Sequence, residues 1–187
     1  FTIEVIQIPI VYNRYGDYDP DGLLYVLEMD SQRIQEEAVG RFHQMPPQPC
    51  EEVQPLVLRV NLGDTVKVRF RNPLNRRLSI HVQGLAYDVA SSDGTSTGFN
   101  QDSTTSREIV YTWYANAEGV FLFHDMADAR SSEEATNIHG LFGAVIVEPP
   151  GAKWFHPQTG EEIESGLMAD IYQPGKPAFR EYSVVFS

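Results

Sequence analysis

The middle of the chain alternates between apolar and polar residues over short stretches. The clearest case is residues 65–72, TVKVRFRN, in which polar side chains separate Val66, Val68 and Phe70. A period of two is the pattern of a strand with one buried face. Similar short segments recur at the regular spacing typical of a β-sandwich. The segments predicted to contain strands here are 55–60, 65–72, 78–84, 107–115, 118–126 and 141–150.

The N-terminal part predicts one more strand, a loop and a helix. Residues 1–12, FTIEVIQIPIVY, are apolar on both faces near their end and predict a strand that enters the core. Residues 13–22 are rich in turn formers and Asp, but lack the ligand spacing of an EF-hand calcium loop, so a solvated loop is favoured. Residues 23–39 predict a strand and then a short helix that begins at Asp30 or Ser31.

Three segments depart from the sandwich pattern. Residues 41–55 are rich in Pro and predict a surface excursion, and residues 151–166 are expected to be a loop. Residues 181–187 resemble the start of a strand, which we expect to belong to a following domain. The rest of 1–187 is expected to form a single domain.

Size and charge narrow the classes of partner. With 187 residues, 42% of them hydrophobic, the chain can bury the core of one domain. A net charge of −12 disfavours binding to nucleic acid or to an anionic membrane, because both would be repelled. No apolar stretch approaches the ~20 residues that a membrane-spanning helix needs. The single Cys50 excludes a disulfide within the chain.

Histidines in the strand-rich region are the candidate metal ligands. His81 shares a strand face with Gln83, and His124 shares one with Met126, because alternate residues of a strand point the same way. If the two strands are neighbours, the two imidazoles converge at one end of the sandwich, which suits copper or zinc. His139 could close a set of three. The alternative is that each histidine is a hydrogen-bonded structural residue.

Other chemistries lack their residues. A blue-copper centre needs a thiolate between imidazoles, and Cys50 lies outside any such strand. The chain has no Gly-rich phosphate loop and no Gly-x-Ser-x-Gly elbow for a nucleophilic serine. A hydrolase is therefore disfavoured.

Several segments together resemble the cupredoxin domains of multicopper oxidases, especially the ceruloplasmin-like multidomain group. They are PLVLRVNLGDTVKVRFRN, SIHVQGLAYD, YTWYANAEGVFLFHD and HGLFGAVIVEPPGA. Together with the opening VYNRYGDYDPDG, they are most similar to bacterial manganese-oxidising multicopper oxidases. The resemblance covers roughly residues 3–155 and implies an all-β, cupredoxin-like Greek-key sandwich with a short peripheral helix and long loops.

The resemblance also implies a metal site. An early domain of this family supplies two His-x-His motifs to a copper cluster that a distant domain completes. The first motif aligns with His81, Gln83 and Gly84, and the second with His124 and Met126. The leading histidine of each motif is present and the trailing one is replaced, so the resemblance transfers only His81 and His124 as ligands.

Three hypotheses follow for the function. The chain is the N-terminal cupredoxin domain of a copper oxidase that reduces dioxygen to water, or a metal-free structural domain that supports assembly and substrate access. The third is a separate metal site formed by His81, His124 and His139. The resemblance implies copper as cofactor and an extracellular or cell-envelope location. It also implies the remaining cupredoxin domains as partners, expected on a separate chain, and a metal ion or small organic reductant as substrate.

Overall fold

Strands account for most of the regular structure in the computed structural model, which describes residues 1–95, 108–127 and 135–184. In chain order the strands are β1 (Thr2–Gln7), β2 (Ile10–Val11), β3 (Tyr18–Asp19), β4 (Leu23–Leu27), β5 (Leu56–Asn61), β6 (Thr65–Arg71), β7 (His81–Val82), β8 (Ala86–Tyr87), β9 (Ile109–Tyr114), β10 (Gly119–His124), β11 (Phe142–Glu148), β12 (Lys153–Phe155), β13 (Met168–Tyr172) and β14 (Phe179–Tyr182). The α-helices are α1 (Ser31–Phe42) and α2 (Val89–Ser92), and a 3-10 turn covers Glu28–Asp30.

Two sheets form the sandwich. One has five strands in the order β4-β1-β6-β9-β8, and the other has four in the order β5-β11-β10-β7. Side chains from both sheets belong to one hydrophobic cluster, in which Trp113, Phe70, Tyr25 and Phe123 are among the largest fully buried residues. The alternating pattern explains this arrangement, since β6 buries Val66, Val68 and Phe70 and exposes the residues between them.

Helix α1 covers the outer face of the five-stranded sheet. Ile34 and Ala38, four residues apart and thus on one helical face, pack against Ile6 and Val26 in a second cluster. Asp30, one of the two residues that the sequence allowed, occupies the N-cap position, and its carboxylate accepts a hydrogen bond from the Arg33 guanidinium. The predicted surface excursion begins inside this helix, and residues 43–55 contain neither helix nor strand.

A three-stranded sheet, β12-β13-β14, packs on part of the outer face of the four-stranded sheet. Leu167 lies against Val57, Ala144 and Ile146 there. The loop predicted for residues 151–166 was therefore wrong in part: β12 lies within it and buries Trp154 against β13. A strand of three residues is too short for a period of two to reveal it.

The two ends of the chain also add detail to the prediction. The N-terminal strand ends at Gln7 and resumes as β2, which pairs with β3. Pro9 lies at the break, where it has no N–H to donate to a ladder. Glu181 and Tyr182 belong to β14, which pairs with β13 of this chain, and residues 185–187 lie outside the described part. Within the described residues, no helix is long and apolar enough to span a membrane.

Candidate metal centre

His81 and His124 lie side by side on neighbouring strands. His81 begins β7, His124 ends β10, and the two residues are direct partners in the antiparallel ladder. Their ring centroids are 5.7 Å apart, with the ring planes at 73°. Both residues are partly exposed, His81 on the edge strand β7 and His124 at the end of the neighbouring strand β10. The sequence predicted that the two imidazoles converge if their strands are neighbours, and β7 and β10 are neighbours.

Both imidazoles are held through the same ring nitrogen. His81 Nδ1 lies 2.6 Å from the Asp93 carbonyl oxygen, and His124 Nδ1 lies 3.0 Å from the Asp125 carbonyl oxygen. A carbonyl oxygen only accepts, so each Nδ1 carries the hydrogen and donates it. In the neutral ring this leaves the lone pair on Nε2, which is the arrangement that protein carbonyls impose on metal-ligating histidines.

Gln83 contacts the free nitrogen of His124. Its side-chain Nε2 lies 2.9 Å from His124 Nε2, so the amide donates to the imidazole lone pair. The Gln83 backbone N–H donates to the Leu122 carbonyl at 2.8 Å, which extends the pairing of the two strands by one residue. The Gln83 side chain itself is exposed.

Asp93 packs against His81 on the Nδ1 side of the ring. Its carboxylate accepts a hydrogen bond from the Tyr87 hydroxyl at 2.8 Å and another from the Thr95 hydroxyl. Burial disfavours the charged carboxylate, but these two hydrogen bonds and the proximity of His81 outweigh it and lower the pKa of Asp93. Burial, followed by the hydrogen bond to Asp93 and its charge, raises the pKa of Tyr87 to about 12. The Tyr87 ring also meets the His81 ring edge-on.

Gly94 allows the segment that carries Asp93 to pack closely against the backbone of Ile80 and His81. It has a φ of +75°, and a Cβ at this position would overlap the Ile80 carbonyl and lie 2.9 Å from the backbone nitrogen of His81. Glycine is required here both for the left-handed backbone and for the close approach.

We expect Gly94→Ala to lower the free energy of unfolding by about 2 kcal/mol, since left-handed backbone alone costs an L-residue about 1 kcal/mol and the overlap adds to it. Chemical denaturation measures the change. Gly63→Ala is the matched control, because Gly63 has a φ of +94° and open space around it. Equal losses in the two variants would contradict the close approach to Ile80.

A buried polar network lies beneath the two histidines. The Asp125 carboxylate, fully buried, accepts from the Ser79 backbone N–H at 2.8 Å, the Ser79 hydroxyl at 3.2 Å, the Ala127 N–H at 3.0 Å and the Thr136 hydroxyl at 2.7 Å. The Tyr25 hydroxyl donates to the Ser79 carbonyl at 2.6 Å. Burial, with the charge of Asp125 next, raises the pKa of Tyr25 well above its ordinary value. The network joins the segments that carry His81 and His124.

His139 lies in a different contact. Its Nδ1 is 2.7 Å from the Asp19 carboxylate on the β2–β3 hairpin, and its carbonyl accepts from the Leu23 N–H. Met126, which shares a face with His124 in the sequence, forms an isolated bridge with Thr95. The described ranges contain no group of three or more His, Cys, Asp or Glu side chains that could hold a metal ion. The structure therefore brings together His81 and His124 and places His139 against Asp19.

A scan against protein-family models matches residues 52–152 to a multicopper oxidase family, over more than half of the chain. The chain belongs to the multicopper oxidases. The matched range includes β5 to β11, and with them both histidines of the pair. The family predicted from the sequence is thus confirmed.

Curated relatives of this multicopper oxidase chain match about half of it. A probable nitrite reductase-hydroxylamine oxidoreductase fusion protein of Kuenenia stuttgartiensis is 35% identical over 98 residues, which are 51% of the chain and 11% of the relative. Copper resistance protein A of Escherichia coli is 30% identical over 96 residues, which are 49% of the chain and 14% of the relative. The matched region is thus a small part of each relative.

Solved structures share the fold of this chain. Lac15 from a marine microbial metagenome aligns over 94% of this chain and 43% of its own, with a TM-score of 0.54 and 20% identity. The copper nitrite reductase from Nitrosomonas europaea aligns over 80% of this chain and 41% of its own, with a TM-score of 0.53 and 18% identity. The cupredoxin-like sandwich with a short helix is confirmed.

The candidate centre contains residues that the sequence did not single out. Asp93 and Tyr87 support His81, and Asp125 supports the segments on both sides. The only local signal was the position of Asp93 in a turn after the His81 strand, and Asp125 appeared merely as the neighbour of His124 on the opposite strand face. Their roles depend on contacts between distant parts of the chain.

Proposed function

We propose that this chain is the cupredoxin domain of a multicopper oxidase that contributes His81 and His124 to a copper centre shared with another domain. The whole enzyme oxidises a substrate and reduces dioxygen to water. Copper bound at the centre would supply the one-electron chemistry that this reaction requires. The role of this chain is to present two imidazole nitrogens in a fixed orientation at the edge of its sheet.

The observation that carries the proposal is the tautomer shared by the two facing histidines. Both Nδ1 atoms donate to backbone carbonyls, and both Nε2 atoms are left as electron-pair donors on adjacent strands. Neutral imidazole suits copper, and carbonyl partners at the second nitrogen raise its basicity and fix its direction. The name of one relative, copper resistance protein A, favours copper over zinc.

An exposed apolar surface beside His124 supports a shared centre. Val120 and Leu122 lie on the same strand face as His124 and are 65% and 50% exposed. Their ladder partners Ile146 and Ala144 are buried, and Leu167 lies against them. The outer face is thus covered over β11 and open over β10. We propose that another cupredoxin domain of the same oxidase packs on this apolar surface.

Substrate oxidation is proposed to occur elsewhere in the enzyme. The single Cys50 lies in the irregular segment after α1, where burial raises its pKa, and its surroundings include Glu52, Val53 and Glu37. A thiolate-containing electron entry site would therefore belong to another domain. A metal ion or a small organic reductant is the proposed substrate class.

Copper analysis of purified variants tests this function. We expect His81→Ala and His124→Ala each to weaken copper retention at least tenfold and to lower oxidase activity with it, because each removes half of the imidazole set. His156→Ala is the control, since its Nδ1 accepts from the Gln158 and Thr159 backbone in a surface turn. His139→Ala is expected to retain copper. Loss of copper in His139→Ala would favour the site formed by all three histidines.

Unchanged copper content and activity in both His81→Ala and His124→Ala would contradict the proposal. That result would leave the structural, metal-free role as the reading of this domain. Circular dichroism of each variant keeps loss of copper separate from loss of fold.

A further inference from the structure

We propose that Gln83 is the third protein ligand of the same centre and binds copper(II) through its amide oxygen. The inference rests on the proposed function, since it assigns one more donor to the His81–His124 site. It makes the donor set two imidazole nitrogens and one oxygen, the mixed nitrogen and oxygen set that suits tetragonal copper(II).

The Gln83 amide lies beside the free ring nitrogen of His124. Gln83 Nε2 lies 2.9 Å from His124 Nε2. Two ligand atoms that lie about 2.0–2.1 Å from a metal and at right angles to each other are about 2.9 Å apart. This contact has the length of an ordinary hydrogen bond, and the same length suits two adjacent ligands of one square-planar ion.

The contact between Gln83 and His124 joins an amide to an imidazole lone pair. His124 Nδ1 donates to the Asp125 carbonyl, so His124 Nε2 is a lone-pair donor. Without a cation, Gln83 presents its NH₂ group to that lone pair. A half-turn of the amide would place the oxygen there instead, and two lone pairs would then face each other. A cation between them removes the repulsion and uses both donors, so the same two residues have a metal-free and a metal-bound arrangement.

The Gln83 side-chain amide can rotate while its backbone stays in place. The Gln83 backbone is fixed by its N–H bond to the Leu122 carbonyl at 2.8 Å, which continues the strand pairing. Its side chain is exposed, and the amide has its one described side-chain hydrogen bond with His124. Rotation of the amide therefore breaks a single solvent-accessible hydrogen bond while the chain position of the ligand stays constant.

The opposite hypothesis is that Gln83 is a cap that competes with the metal for His124. The two hypotheses predict opposite signs for one substitution. Gln83→Leu removes both the oxygen and the NH₂ group at similar size. If Gln83 is a ligand, copper(II) affinity falls about tenfold or more, as is usual when a metal site loses a partner. If Gln83 is a cap, the affinity rises.

The experiment measures the copper(II) affinity of the purified protein by competition with a chromophoric chelator, with the copper EPR spectrum recorded in parallel. We expect a drop of tenfold or more and a changed spectrum in Gln83→Leu. Gln83→Glu, which keeps an oxygen and removes the NH₂ group, is expected to bind at least as tightly as the natural sequence. Gln35→Leu, on the exposed side of α1, is the matched control and is expected to change neither.

The outcomes separate the two proposals. Equal or tighter binding by Gln83→Leu, together with loss of binding in His81→Ala and His124→Ala, would overturn the Gln83 assignment and leave the proposed function intact. Unchanged binding in all three variants would overturn both. Loss of binding in all three supports both.

Discussion

Replacement of Asp125 by alanine is expected to lower the free energy of unfolding by about 4 kcal/mol, because each buried donor left without an acceptor costs about 1–3 kcal/mol. The carboxylate is fully buried and accepts from Ser79, Ala127 and Thr136. The Ala127 N–H also donates to the Ser79 hydroxyl, so the Ser79 N–H and the Thr136 hydroxyl are the buried donors that depend on Asp125. Urea denaturation followed by tryptophan fluorescence measures the change, since Trp113 lies in the same core.

Two further variants make this prediction specific. Asp88→Ala removes an exposed carboxylate that accepts from the Ser91 hydroxyl, and we expect a loss below about 1 kcal/mol. Asp125→Asn keeps one acceptor oxygen and should fall between the two. A loss below 1 kcal/mol in Asp125→Ala would show that the network does not hold the His81 and His124 segments together.

Arg59→Ala is expected to lower the free energy of unfolding by about 3 kcal/mol, since breaking a buried ion pair is strongly destabilising. It is also expected to loosen the C-terminal sheet, the three-stranded sheet of β12, β13 and β14. Arg59 is 1% exposed; its Nη1 lies 2.8 Å from the Glu181 carboxylate and its Nε donates to the Gly166 carbonyl at 3.2 Å. It therefore ties β5 both to β14 and to the segment before β13. Limited proteolysis should cut the variant faster after residue 150.

Arg180→Ala is the matched control for this effect. Arg180 pairs with Asp170 through two contacts of 2.6 and 2.8 Å on the same small sheet, but its side chain is exposed. An exposed pair contributes about 0–1 kcal/mol, so Arg180→Ala should resemble the natural sequence in both stability and cleavage. Equal cleavage rates for the two variants would contradict the anchoring role of Arg59.

The sequence predicted the sandwich because strands such as β6 and β9 alternate between buried and more exposed residues. Val66, Val68 and Phe70 are buried for the reason their spacing suggests. The C-terminal sheet was partly missed because β12 has three residues, and its single buried side chain, Trp154, acquires a partner only when β13 folds against it. Short strands depend on tertiary contacts that local patterns do not contain.

The candidate site was predictable to a similar depth. Period two placed His81 and Gln83 on one strand face and His124 with Met126 on another, and the pairing of the strands brought His81, Gln83 and His124 together. The partners of the ring nitrogens were not predictable, because a contact such as that of His139 with Asp19 joins residues 120 positions apart. Which nitrogen of each histidine is free is a property of the folded chain.

The central claim is that His81 and His124 bind one copper ion together. Pulsed EPR of the copper(II)-loaded protein counts the imidazole nitrogens coupled to the metal. We expect two coupled imidazoles from this chain in the natural sequence, one after either His81→Ala or His124→Ala, and none in the double variant. A spectrum that keeps the same two imidazole couplings in the double variant would contradict it.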